Sequence, residues 1–128
     1  MAQILLIEPD ATLSQTYRMA LKIDGHNVTP VFTAQTAINI ADRQSPDLVI
    51  LELQLPVHNG VEFLYEFRSY TEWRSTPVIV QSFVPPSDFR SSAILWRNLG
   101  VVAYLYKPRT SLRQLLISVQ EQLTAITA

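Results

Sequence analysis

Pro46-Asp47-Leu48-Val49-Ile50-Leu51-Glu52-Leu53-Gln54-Leu55-Pro56-Val57-His58-Asn59-Gly60 is the stretch whose reading decides the fold. Leu48–Leu51 is apolar throughout, with no alternation. That pattern belongs to a strand buried on both faces, as in a parallel sheet covered by helices. The run stops at an acidic residue, Glu52. A proline and a glycine then punctuate a loop. Beyond Gly60, Val61, Leu64 and Phe67 recur at helical spacing. One strand, one loop and one helix are therefore expected in that order.

The same alternation extends in both directions. Short apolar runs lie at Ile4–Ile7, Asn27–Phe32, Val78–Val80 and Val101–Tyr106. Helical patterns lie between them. Leu13, Tyr17, Ala20 and Leu21 share one face, closed by Asp24-Gly25. Ala34, Ala37, Ile38 and Ala41 share a second. A fourth helix is expected from about Ser87 to Asn98, between Pro85-Pro86 and Gly100. The fifth carries the stripe Leu112, Leu115, Leu116, Val119, Leu123 and Ile126. Five β-α units of this length suit right-handed crossovers in an open parallel sheet. The expected architecture is a doubly wound α/β fold, one domain over residues 1–128, with its site beyond the carboxyl ends of the strands.

Composition excludes several classes. The chain has 128 residues, 48% of them apolar, which is ordinary. Only 16% are charged, against about 25% in a typical domain. Net charge is −1, so there is no global basic field for nucleic acid or anionic lipid. No cysteine is present, which removes thiol catalysis and Cys-ligated metals. No run approaches the length of a membrane span, and a cytoplasmic protein is expected. The three glycines, Gly25, Gly60 and Gly100, lie too far apart to build a GxGxxG turn or a P-loop. His26 and His58 lie in different segments and read as surface turn residues. No Ser-His-Asp arrangement stands out, and no enzyme activity is expected.

The strand ends bring acids together. Glu8, Asp10 and Glu52 should converge, with Ser82 and Lys107 beside them. Carboxylates with one lysine are the composition of a Mg²⁺ and phosphoryl site. The same residues also have plainer readings. Asp10 suits a helix N-cap, Glu8 and Glu52 can be solvated strand ends, and Lys107 can simply pair with one of them.

Four landmarks in order now resemble a known family: Ile4-Leu5-Leu6-Ile7-Glu8-Pro9-Asp10, the stretch quoted first, Pro77-Val78-Ile79-Val80-Gln81-Ser82, and Gly100-Val101-Val102-Ala103-Tyr104-Leu105-Tyr106-Lys107-Pro108. Together they resemble the receiver domain of two-component response regulators. The resemblance implies a flavodoxin-like sheet in the order 2-1-3-4-5 with five helices. It implies that Glu52 stands at the phospho-acceptor position, where the family keeps aspartate. Glu8 matches the first acidic Mg²⁺ position, while Pro9 replaces the second. Asp10 and Gln54 are the remaining candidates for a cation's surroundings. Ser82, Tyr104 and Lys107 match the residues that contact or report a phosphoryl group.

These departures imply an atypical receiver. Glutamate's extra methylene moves the carboxylate by roughly 1.5 Å, one C–C bond. Displacement of about 1 Å can cost ~10²-fold in rate. Pro9 removes a ligand from a cation that demands near-ideal geometry. Phe83 replaces a small residue and is placed to cover the site. Pro85-Pro86 either stiffens the following loop or is an ordinary helix start. The expected function is signalling by protein–protein contact without phosphorylation, with no cofactor and at most a weak hold on Mg²⁺. Glu52 then either mimics the phosphorylated state in part or only pairs with Lys107. The expected partner is a sensor kinase, an effector, another regulator or a second copy. The face of the fourth helix, fifth strand and fifth helix would carry it, through Phe89, Arg90, Trp96, Arg97, Arg109 and Arg113. At least one of Phe89 and Trp96 is expected to cover the core instead. Trp73, in the polar stretch 69–76, is a further candidate for an exposed contact. Two alternatives stand beside this reading: a working phospho-acceptor using Glu52 or a neighbour, and a flavodoxin-like module holding a small ligand.

Overall fold

The computed structural model describes residues 2–88 and 97–127. Five strands form one sheet: β1 (Gln3–Ile7), β2 (Asn27–Val31), β3 (Leu48–Leu51), β4 (Val78–Ser82) and β5 (Val101–Tyr106). All pairs are parallel and the order is β2-β1-β3-β4-β5. The α-helices among the described residues are α1 (Ala11–Ile23), α2 (Ala34–Arg43), α3 (Gly60–Ser69) and α4 (Leu112–Thr127). Five helices were expected. The expected fourth, from about 87 to 98, falls largely outside the described residues. Its described start is a 3-10 turn at Pro86–Asp88. No helix among the described residues is long and apolar enough to cross a membrane.

Local signals set the helix starts. Asp10 Oδ1 accepts from Leu13 N at 2.9 Å, and Thr33 Oγ1 accepts from Thr36 N at 3.2 Å. Asn59 and Glu62 form a reciprocal capping box at the start of α3. Gly60 is required there for another reason. A Cβ at this position would lie 2.7 Å from Leu53 Cα and 2.8 Å from Glu52 O. The loop thus folds back onto the backbone of the site.

The sheet separates two apolar layers. Leu5, Ile7, Val49, Leu51, Val78 and Val80 face α2 and α3. Ile4, Leu6, Leu48, Ile50 and Ile79 face α1 and α4. Strict alternation within continuous apolar strands is what burial on both faces requires.

Trp73 corrects an expectation. It is 1% exposed, not a surface contact. Its ring stacks on Phe67 at 4.9 Å and its Nε1 donates to Ser45 Oγ at 3.3 Å. The polar stretch after α3 turns back in a 3-10 turn at Thr71–Trp73, which carries the indole inward. Burial of so large an apolar ring outweighs the polar character of its neighbours.

Gln81 is an exception to the apolar rule. It is buried on β4, and its Oε1 has no hydrogen-bond partner among the described residues. A buried unpartnered acceptor costs about 1–3 kcal/mol. Gln81→Leu is therefore expected to raise stability in urea denaturation by about 1–2 kcal/mol. A lower stability would show that the amide does useful bonding.

Candidate functional site

Strands β1 and β3 lie side by side and end together, with Glu52 N donating to Ile7 O at 3.0 Å. Their next residues are Glu8 and Glu52, both buried. Lys107 follows β5 and is buried as well. Its Nζ lies 2.5 Å from Glu8 Oε1 and 2.8 Å from Glu52 Oε1. The sheet order places β5 two strands from β3, so the lysine stem crosses the end of β4 to reach both acids. Two carboxylates share one ammonium, and the formal balance of the group is one negative charge.

Glu52 is held by three donors. Lys107 Nζ and Phe83 N both donate to Oε1, the latter at 3.2 Å, and Gln54 N donates to Oε2 at 3.1 Å. These donors come from the ends of β5, β4 and β3. Glu8 is less well served, by Lys107 and by Asp10 N at 3.0 Å. Burial pushes the Glu8 carboxyl above its ordinary value. The bonds from Lys107 and Asp10 oppose that shift, and the Glu52 charge adds to it. Tyr17, on the same side of the sheet, is pushed up to about 12, first by burial and then by the charges of Glu8, Glu52 and Asp10.

The loop after β4 is pinned at successive residues. The Phe83 ring lies over Lys107 Nζ, 4.7 Å from ring centroid to nitrogen, and is 50% exposed. Ser82 Oγ accepts from Val84 N at 3.0 Å, and Tyr104 OH donates to Val84 O at 2.6 Å. Both backbone groups of Val84 are thus satisfied by Ser82 and Tyr104. The loop after β3 carries backbone strain. Val57 has φ +69, is 91% exposed, and sits in a three-residue turn closed by His58 N on Pro56 O. A β-branched residue in such a turn is unusual.

The remaining candidates are dispersed. The exposed Asp10 carboxylate caps α1 and does not join the Glu8–Lys107–Glu52 group. Gln54 contributes its backbone N–H while its side chain stays exposed. Arg97, Arg109 and Arg113 are exposed. Phe89, Arg90 and Trp96 lie outside the described residues. His58 pairs with Glu62 at 3.2 Å on the surface, and His26 Nδ1 accepts from Ala2 N.

The resemblance to receiver domains implies a divalent cation at these strand ends, where Glu8 and Glu52 are the acids that meet. Pro9 offers no side-chain oxygen, the Asp10 carboxylate is engaged in the helix cap, and both remaining acids are bonded to Lys107. Among the described residues, no group of three His, Cys, Asp or Glu is placed to hold a metal.

Two features escaped the sequence reading. Pairing of Lys107 with both acids depends on the reach of its stem across β4, which no local pattern encodes. The bond from Tyr104 to Val84 joins residues 20 positions apart.

A model of the response regulator receiver domain matches residues 4–120. The KDP operon transcriptional regulatory protein KdpE of Escherichia coli (strain K12) is 33% identical over 108 residues, covering 84% of this chain and 45% of that protein. The probable transcriptional regulatory protein TcrX of Mycobacterium tuberculosis is 35% identical over 105 residues, covering 82% of this chain and 43% of that protein. The chain spans about half the length of the curated relatives it matches. Among solved structures, a CheY-like response regulator receiver domain protein from Methanospirillum hungatei JF-1 superposes with a TM-score of 0.87 at 22% identity, over 98% of this chain and 95% of that one. A response regulator receiver domain protein from Clostridium thermocellum gives a TM-score of 0.83 at 26% identity, over 99% and 98%. Sheet order, strand-end residues and family match agree: the chain belongs to the response regulator receiver domain family of two-component signalling.

Proposed function

We propose that this receiver domain signals through contact with a protein partner and does so without taking up a phosphoryl group. The observation that carries the reading is the bonding of Glu52. Its carboxylate already occupies the three donors, Lys107 Nζ, Phe83 N and Gln54 N, that converge at the end of β3. Such converging donors, one of them charged, suit a single anion. A phosphoryl group added at Glu52 would need donors that the carboxylate now holds. It would also need its own charge offset, and the divalent cation that supplies this elsewhere has lost a ligand position at Pro9.

In this reading Lys107 is the resident cation of the site and Glu52 its permanent anion. Glu52 mimics a phosphorylated acceptor only in part, since phosphate carries about −1.5 to −2 charge and three acceptor oxygens. Ser82 and Tyr104 hold the loop after β4 through Val84, so the loop keeps one conformation. The domain then presents a constant surface to its partner. The candidates are a sensor kinase, an effector, another regulator or a second copy. The face built by β5 and α4 offers exposed Arg109 and Arg113, with Arg97 just before β5. The relatives named above are transcriptional regulatory proteins, and a partner in transcriptional control is part of this proposal.

Two experiments test the reading. Incubation with acetyl phosphate and Mg²⁺, followed by intact mass measurement, is expected to leave the mass unchanged. A phosphoryl adduct that Glu52→Gln abolishes would overturn the proposal. Restoring both departures together, as Pro9→Asp with Glu52→Asp, is expected to yield the adduct under the same conditions.

The second concerns charge. Two buried acids share one ammonium, so Glu8 is the surplus anion. Its carboxyl is raised above the ordinary value. The stability it contributes is therefore full below the unfolded pKa and lost as pH rises through the folded one. Glu8→Gln is expected to melt above the wild type near pH 7, with the gap closing toward about pH 4 as Glu8 itself protonates. Lys107→Met, which strands two acids, is expected to lose about 3–5 kcal/mol.

A further inference from the structure

Strands β4 and β5 do not pair one to one. Val78 pairs with Val101, but Ile79 pairs with Ala103. Val102 is an extra residue on β5. Bulges are uncommon in parallel pairs, and they re-aim the side chains that follow.

The consequence can be read from the two layers. Tyr104 pairs with Val80 and packs on the α2 and α3 side. Ala103 and Leu105 lie on the α1 and α4 side. Lys107, two residues past Leu105, follows them to the side of Ile4, Leu6, Leu48 and Ile50, whose strands lead to Glu8 and Glu52. A shift of one residue exchanges the two faces of a strand. Regular pairing from Val78 onward would set Ala103 opposite Val80 and Tyr104 opposite Gln81. Tyr104 would then leave Val84, and Lys107 would turn from the two acids.

Something must hold the extra residue in place, and Arg68 is positioned to do so. This α3 side chain is part-buried. Its Nε donates to Leu99 O at 2.9 Å, its Nη2 to Gly100 O at 3.2 Å and its Nη1 to Trp73 O at 2.5 Å. Leu99 and Gly100 are the two residues before β5. Gly100 has φ +65, and a Cβ there would lie 2.9 Å from Arg68 Nη2, so the glycine admits both the turn and the guanidinium. A planar fork with five donors holds these three carbonyls from three separate nitrogens, whereas a lysine has its three donors on a single nitrogen and cannot reproduce that spread.

We infer that Arg68 is a positioning residue for the strand-end site: by fixing the Leu99 and Gly100 carbonyls it holds the bulge at Val102, and so sets the faces on which Tyr104 and Lys107 are presented. The inference concerns how the site is assembled and holds whether or not Glu52 accepts a phosphoryl group.

The chain has only two lysines, Lys22 and Lys107. A spectrum of ¹⁵Nζ-labelled lysine therefore contains one signal from the buried, ion-paired Lys107 and one from the exposed Lys22 as an internal control. In Arg68→Met the Lys107 signal is expected to move toward that of Lys22 or disappear, with Lys22 unchanged. Arg68→Lys, which keeps a donor and a charge for a fold that tolerates little loss, is expected to show the same change in smaller degree. Deleting Val102 removes the extra residue and leaves Tyr104 and Lys107 on their present faces. The deletion variant is expected to keep the Lys107 signal, and Arg68→Met is expected not to move it in that background. The inference fails if either Arg68 variant lowers the melting temperature while leaving Lys107 in place. It fails equally if Arg68→Met moves Lys107 to the same extent with and without Val102.

Discussion

The ammonium of Lys107 sits between two buried carboxylates, and the architecture around the strand ends follows from that placement. Three strands must end at matching heights for one side chain to touch Glu8 and Glu52 together. Each of the three groups would be costly alone in so dry a position. A carboxylate or ammonium out of water loses several kcal/mol of hydration, and only close pairing with further hydrogen bonds returns it. Glu52 obtains those further bonds from Gln54 N and Phe83 N. Glu8 obtains one, from Asp10 N. The unequal provision explains why burial dominates at Glu8, and why Glu8 is the surplus charge of the group.

The loops above the sheet are arranged around that group. The Phe83 backbone binds Glu52 and its ring covers Lys107, so one residue closes the site in two ways. Val84 is held through its N–H by Ser82 and through its carbonyl by Tyr104. On the other side, Gly60 lies so close to Glu52 and Leu53 that no side chain fits. The turn at Val57 costs about 1–3 kcal/mol in backbone strain, and the closely packed glycine and the capping box at Asn59 hold it closed. These are properties of a stiff site. They are part of what supports the proposal that Glu52 serves as the permanent anion of the site.

The fold was largely legible in the chain. The run Leu48–Leu51 has the bounds the apolar pattern implies, because a strand buried on both faces cannot admit a polar residue cheaply. The half-buried edge strand Val101–Tyr106 also keeps the bounds of its apolar run. β4 extends two residues further than its apolar core, through Gln81 and Ser82, since backbone pairing with β5 does not depend on side-chain polarity. Trp73 was misread because the segment around it is polar, and only the return of the chain after α3 brings the indole onto Phe67. At the site, the strand-end positions of Glu8, Glu52 and Lys107 were legible from their places in the motifs. The bond between Tyr104 and Val84 and the grip of Arg68 on the Leu99 and Gly100 carbonyls were not, because each joins residues that no local period relates.

By itself the sequence determined the order of strands and helices, the helix cap at Asp10, the absence of thiol and P-loop chemistry, and the replacement of the family's residues at two acidic positions by Glu52 and Pro9. These depend on residue type and on spacing within a few turns of chain. The tertiary structure alone decided which acids Lys107 would meet, and that one extra residue at Val102 would turn Tyr104 and Lys107 to their respective faces. Register between parallel strands is set by contacts across long crossovers. A shift of a single residue leaves every local pattern intact while exchanging the two sides of the sheet.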